Sequence, residues 1–271
     1  HRETFIGAED FDYLKEHGIN TLRIPVPHFI FGDDMDFCSP YVPCAQYLDR
    51  AFEWAEERDM QILIDLHTAP ESQNGFDNGG ICGVCRWAQS PERVNRLLRV
   101  LEQLGNRYGH RKGLWGIELL NEPVSEAVWY RSSRVYLPAD SERAKGSSFV
   151  PLEVLTEFYR RGYCLLRGIL GEDKKIVFHD GFRVRYWRTF FEEEGWKNVV
   201  LDVHWYLNYA EAAECHTIQD CVGYILKVYR EQITWMKEAV PVIVGEWCLS
   251  HRGGVKGENG AWGSELMFRM L

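Results

Sequence analysis

Long apolar runs are missing from this chain. No stretch approaches the ~18 consecutive apolar residues of a membrane-spanning helix, so none is expected. Basic clusters are missing too: 31 lysines and arginines stand against 40 aspartates and glutamates, a net charge of −9. The scattered arginines of RVRYWR form the densest basic stretch, which argues against nucleic acid as a partner. No Ser/Pro/Gly-rich linker divides the sequence and no short-period repeat recurs. The opening HRETFIGAED lacks the basic-then-apolar pattern of a secretory leader. The eight cysteines, at positions 38, 44, 82, 85, 164, 215, 221 and 248, are too sparse for a small disulfide scaffold. Cys82-Gly-Val-Cys85 has neither a second CxxC nor a nearby HxxxH to complete a zinc site. Free thiols or a local disulfide and no metal are the resulting expectations, with a cytoplasmic location and, as the alternative, secretion, since a trimmed chain would also show no leader.

What is present describes a packed globular protein. Hydrophobic residues make up 45% of the 271 positions and charged residues 26%, near ordinary averages. Short β-rich runs alternate with longer segments of helical period, the pattern of repeated strand–helix units and a parallel sheet. Six strands are predicted: Ile19 to Val26, Gln61 to His67, Leu114 to Leu120, Lys175 to His179, Val199 to His204 and Pro241 to Glu246. Helices are predicted at about 8–17, 46–59, 91–108, 152–169 and 218–238 from apolar spacings of three and four. Pattern and length together suit an α/β (β/α)₈ TIM barrel, which runs to about 250 residues. A barrel needs eight strands; none reads convincingly before Ile19 or after Trp247. The first and last strands are therefore expected to be absent from this sequence, as in a chain lacking its natural ends.

Polar residues gather at the C-terminal ends of these strands: Arg23, His67, Asn121 with Glu122, His204 with Tyr206, and Glu246. In an α/β barrel that end forms the active face, so residues from distant segments can converge there. Glu122 and Glu246 each follow a strongly apolar strand, where a carboxylate is expensive to hold without a purpose. Two strand-end carboxyls suit glycoside hydrolysis, one protonating the leaving oxygen and the other attacking the anomeric carbon or activating water. Asn121 can bond a sugar hydroxyl, and Arg23 and Tyr206 can keep Glu246 ionised, which assigns Glu122 as acid. Alternation along the Leu114 strand places Glu118, Leu120 and Glu122 on one face. Glu118, Asp65 and Asp202 read as supporting groups that pair with an arginine or orient a histidine.

The strings GIELLNEP, VIVGEW, LRIP, DLH and VHWY together resemble glycoside hydrolase family 5, the cellulase-like retaining glycosidases. TFIGAEDF, DLHTAPESQNGFDNGG, the HD of VFHDGF and VVLDVHWY are similar to the exo-β-1,3-glucanases within it. The resemblance runs from about Thr4 to Trp247. It implies a single catalytic barrel domain over 1–271, with Glu122 as acid/base and Glu246 as nucleophile. It also implies Arg23, His67, Asn121, His204 and Tyr206 around the sugar, Phe76, Asp77 and Asn78 shaping a glucose pocket, and Tyr209 as an entrance aromatic. Thr68 and Glu71 depart from it, standing where these relatives usually carry glycine, and the segment ICGVCRW is not part of the resemblance.

The leading expectation is a retaining β-glycosidase acting from chain ends on β-1,3-glucan oligosaccharides. It needs no cofactor, because protons and a carboxylate suffice. The alternatives are a β-glucosidase or disaccharide-releasing glycosidase acting on glycoconjugates and, more remotely, a non-catalytic carbohydrate-binding barrel.

Overall fold

The structure, a computed structural model, describes residues 2–32, 43–207 and 217–248. The chain falls into two compact units: residues 1–181 with 197–199, and residues 182–196 with 200–271.

The first unit is built on four parallel strands, β1 (Thr21–Val26), β2 (Gln61–Leu66), β3 (Leu114–Glu118) and β4 (Lys175–His179). Each pairs with the next in chain order. Ile62, Leu63, Ile64 and Leu66 of β2 are all buried, as a strand covered on both faces requires. Helices α1 (Ala8–Glu16), α2 (Ala45–Glu56), α3 (Pro91–Tyr108), α4 (Glu126–Ser132) and α5 (Leu152–Leu170) lie between or before the strands. The Ser90 hydroxyl caps α3, and Pro91 opens its first turn. Leu97, Leu101 and Leu104 form the fully buried stripe of α3, with Gly105 leaving room for Leu166 and Ile169 of α5.

The predicted boundaries hold within a few residues, and the misses have local causes. Helix α2 stops at Glu56 rather than 59 because Asp59 turns left-handed at φ 50° and Met60 N–H closes back on the Ala55 carbonyl. Strand β3 ends at Glu118, so the alternation drawn through Leu120 to Glu122 does not hold. Leu119 N–H still donates to Val177 and Asn121 N–H to Leu66, but Glu122 adopts φ 44°, which breaks the pleat. Helix α4 was not legible beforehand.

The second unit carries the parallel pair β5 (Val199–Tyr206) and β6 (Val242–Cys248). It also holds α6 (Val184–Glu194), α7 (Ile218–Tyr224), a π-helical turn at Ile225–Tyr229 and α8 (Arg230–Met236). The single helix expected at 218–238 is thus three segments. Helix α6 went unpredicted although Trp187, Phe190 and Phe191 bury one stripe at spacings of three and four, and Gly195 ends it at φ 61°. No helix among the described residues is long and apolar enough to cross a membrane. Cys44, Cys82, Cys85 and Cys164 are free thiols.

Candidate active site

In the first unit Arg23 of β1 organises the strand ends. Its Nε donates to Glu118 Oε2 at 2.9 Å, and Nη2 lies 3.2 Å from Asp65 Oδ2 and 2.9 Å from Asn121 Oδ1. Asp65 and Glu118 are fully buried and sit side by side in the β2–β3 register, so a guanidinium with several donors suits them both. Holding Asn121 by its oxygen turns its Nδ2 outward, 3.5 Å from His67 Nε2. His67 in turn gives Nδ1 to Asp65 Oδ2 at 2.6 Å, which places the imidazole proton on Nδ1 and leaves Nε2 as the acceptor in the neutral ring.

Glu122 is 4% exposed, and its Oε2 accepts from Asn78 Nδ2 at 3.0 Å. Asn78 lies in a 3-10 turn, Asp77–Gly79, on the loop after β2. In that loop Asn74 Oδ1 accepts from Phe76 N–H, and Ser72 Oγ accepts from Gly75 N–H. Phe76 packs its ring 5.2 Å from Tyr136, and Asp77 is exposed at the start of the turn. Both unusual residues of this loop have partners. Thr68 Oγ1 accepts from His28 N–H at 3.1 Å and lies 2.7 Å from His28 Nδ1. Glu71 adopts φ 61°, the left-handed region that favours glycine, and accepts from Arg143 Nη2 at 2.6 Å.

In the second unit β5 and β6 carry the other group. The register slips at Val203/His204, where Val203 pairs with Val244 but His204 with Glu246. This bulge sets Glu246 beside His204 instead of on the opposite face. Tyr206, two residues on, donates its hydroxyl to Glu246 Oε2 at 2.6 Å, and His204 Nδ1 lies 3.6 Å from the same oxygen. Behind them the buried Asp202 accepts from Gly245 N–H at 2.6 Å and stands 3.5 Å from His204 Nε2. Any side chain at Gly245 would overlap that carboxylate. Tyr206 is steadied by Tyr229, whose ring stacks 4.2 Å from Trp205 and whose hydroxyl donates to the Tyr206 carbonyl.

Arg23, His67 and Asn121 thus share one network, Asn78 meets Glu122, and His204 and Tyr206 meet Glu246. Tyr209 lies outside the described residues. Sequence reasoning passed over His28, Gln73, Asn74 and Tyr136; only the unusual density of amides in SQNGFDN signalled the middle two.

Parallel strand–helix units with carboxylates, amides, imidazoles and a phenol at the strand C-termini follow the pattern of an α/β barrel, whose active face lies at that end of the strands. The family model for cellulase (glycosyl hydrolase family 5) matches residues 2–270, and the chain belongs to that family. Glucan 1,3-beta-glucosidase 2 of Candida albicans is 31% identical over 281 residues, covering 91% of this chain and 52% of that protein. The glucan 1,3-beta-glucosidase of Schwanniomyces occidentalis is 33% identical over 225 residues, covering 81% and 47%. The chain spans about half the length of the curated relatives it matches. Among solved structures, rutinosidase from Aspergillus niger superposes with a TM-score of 0.73 at 20% identity, over 98% of this chain and 72% of that one. The endoglucanase of Thermotoga maritima gives 0.59 at 18% identity, over 90% and 72%. These likenesses show the fold, a (β/α)₈ TIM barrel of which the described residues supply six strands.

Proposed function

We propose that this chain carries the catalytic residues of a retaining glycoside hydrolase that removes glucose from the ends of β-1,3-glucan oligosaccharides. The observation that carries the reading is the treatment of the two strand-end glutamates. Glu246 is re-aimed by a bulge and bonded by the Tyr206 hydroxyl, and Glu122 is buried, backbone-strained and bonded by Asn78. Family membership and relatives named glucan 1,3-beta-glucosidase support the substrate class.

In this reading the Glu246 carboxylate attacks the anomeric carbon while the bond to the leaving oxygen breaks, and the Glu122 proton passes to that oxygen. Water then attacks the same carbon, giving its proton to Glu122 and releasing Glu246 as a carboxylate. The Tyr206 hydroxyl, bonded to Oε2, orients the Glu246 carboxylate for attack. Asn121, with its oxygen held by Arg23, offers Nδ2 to a sugar hydroxyl that bonds more strongly as charge develops.

Time-resolved NMR of the sugar released from laminaribiose and laminarin tests this, with Glu246→Ala as control. β-Glucose should appear first and should vanish in the variant. α-Glucose as the first product would overturn the nucleophile assignment. No release from either substrate, with cleavage of glycoconjugates to disaccharides, would replace the substrate class.

A further inference from the structure

One buried side chain on the pocket loop takes no part in the chemistry above, yet its bonds end on the residues that do. Gln73 is fully buried. Its Nε2 donates to the His67 carbonyl at 2.9 Å and to the Asn121 carbonyl at 2.8 Å. Its Oε1 accepts from Ala69 N–H at 3.0 Å, and its own carbonyl accepts from Val124 N–H at 3.2 Å. Only one orientation of the amide fits this set, because the two carbonyls need donors and the Ala69 N–H needs an acceptor. The turn that presents Gln73 is itself constrained, with Glu71 at φ 61° and Ser72 at φ 58°. Glu71 is held there by Arg143, and Ser72 N–H donates to the Ala69 carbonyl.

The Asn121 carbonyl belongs to the peptide from which the φ torsion of Glu122 starts. That torsion is 44°, a region that costs a glutamate about 1 kcal/mol or more and persists only where the surroundings over-determine it. Asn121 is tied at both backbone groups, its N–H to the Leu66 carbonyl at 3.0 Å and its carbonyl to Gln73. Val124, two residues beyond Glu122, is tied to Gln73 as well. The strained residue is therefore bracketed by bonds to a single side chain and its backbone.

We propose that Gln73 is a positioning residue for the acid. By fixing the Asn121 carbonyl it holds Glu122 in the left-handed conformation that sets its carboxyl in place, and through the His67 carbonyl it ties the β2 strand end to the same frame. The proposal rests on the reading of Glu122 as acid/base.

Two substitutions separate positioning from packing. Gln73→Met keeps the approximate volume and loses both donors. Gln73→Glu keeps the shape, faces two carbonyls with an acceptor when ionised, and regains one O–H donor when protonated. The readouts are kcat/KM on laminaribiose and on 2,4-dinitrophenyl β-glucoside across pH, beside thermal denaturation. Gln73→Met should lower the laminaribiose value by about 10²-fold and the dinitrophenyl value by about tenfold or less, since only the poor leaving group needs the Glu122 proton. Gln73→Glu should recover part of its laminaribiose loss, relative to wild type, as the pH falls. Equal losses on both substrates, following the loss in Tm, would make Gln73 a packing residue and overturn the proposal. A crystal structure of Gln73→Met decides the point without activity: relaxation of the Asn121–Glu122 backbone supports positioning, and an unchanged backbone overturns it. Wild-type protein inactive on both glucosides would instead sink the functional reading, with the crystal structure still judging Gln73.

Discussion

Glu122 and Glu246 differ in how their neighbours hold them, and their substitutions should differ accordingly. Tyr206→Phe removes the hydroxyl bonded to Glu246 Oε2 at 2.6 Å and should lower kcat/KM by about 10²-fold or less. An unchanged rate would take Tyr206 out of the mechanism. Glu122→Gln should slow laminaribiose far more than an activated aryl glucoside, because the aryl oxide leaves without a proton. Equal losses on the two would contradict the acid assignment. The cysteines give a third check. Cys82 is exposed, whereas burial pushes the Cys85 thiol well above its ordinary range. Of this pair, Cys82 should react first with a thiol reagent, and unfolding should be needed to expose Cys85. Most of the candidate residues were legible because charge and hydrogen-bonding capacity stand out against apolar strands. Gln73 was not, since a buried polar side chain that serves the backbone looks in sequence like any loop residue.

At the scale of elements, α2 is fastened to α3 by polar as well as apolar contacts. Asp49 accepts from Arg107 Nη2 at 2.6 Å and from the Tyr108 hydroxyl at 2.9 Å, while Phe52 stacks on the Tyr108 ring at 5.0 Å. Partial burial pushes the Asp49 carboxyl up, but the bonds from Arg107 and Tyr108 outweigh it and leave the carboxyl below its ordinary value. A carboxyl depressed by folding contributes stability above its unfolded pKa, about 3.9, and loses it as pH falls through the lower folded value. Asp49→Asn should therefore cost about 0.5–1 kcal/mol at pH 7, a figure reduced because Arg107 is half exposed. The difference from wild type should close as denaturation is repeated at pH values descending below 4; a gap independent of pH would assign it to packing. The elements themselves were largely legible, since strands such as Lys175–His179 and helices such as Pro91–Tyr108 combine period, cap and length in one stretch. Helix α6 escaped because its aromatics favour strands by propensity, and only their burial on one stripe shows the helical period.

For the whole molecule, a net charge of −9 without a basic cluster predicts no retention on heparin at about 0.1 M salt, where the Debye length is ~10 Å; retention would reveal a basic surface that composition hides. The sequence by itself determined the fold class and family, because alternating apolar periods specify strand–helix repeats and several chemical motifs recur in order along one chain. It also singled out Glu122 and Glu246 as candidates, because an acid at the end of an apolar strand is costly and local. Tertiary structure decided the rest. The bulge that carries Glu246 round to His204, the left-handed turn at Glu122 and the amide of Gln73 bridging two strand ends all depend on residues 40 or more positions apart. Such features satisfy backbone groups that no local pattern records, and they become visible only once the strands lie side by side.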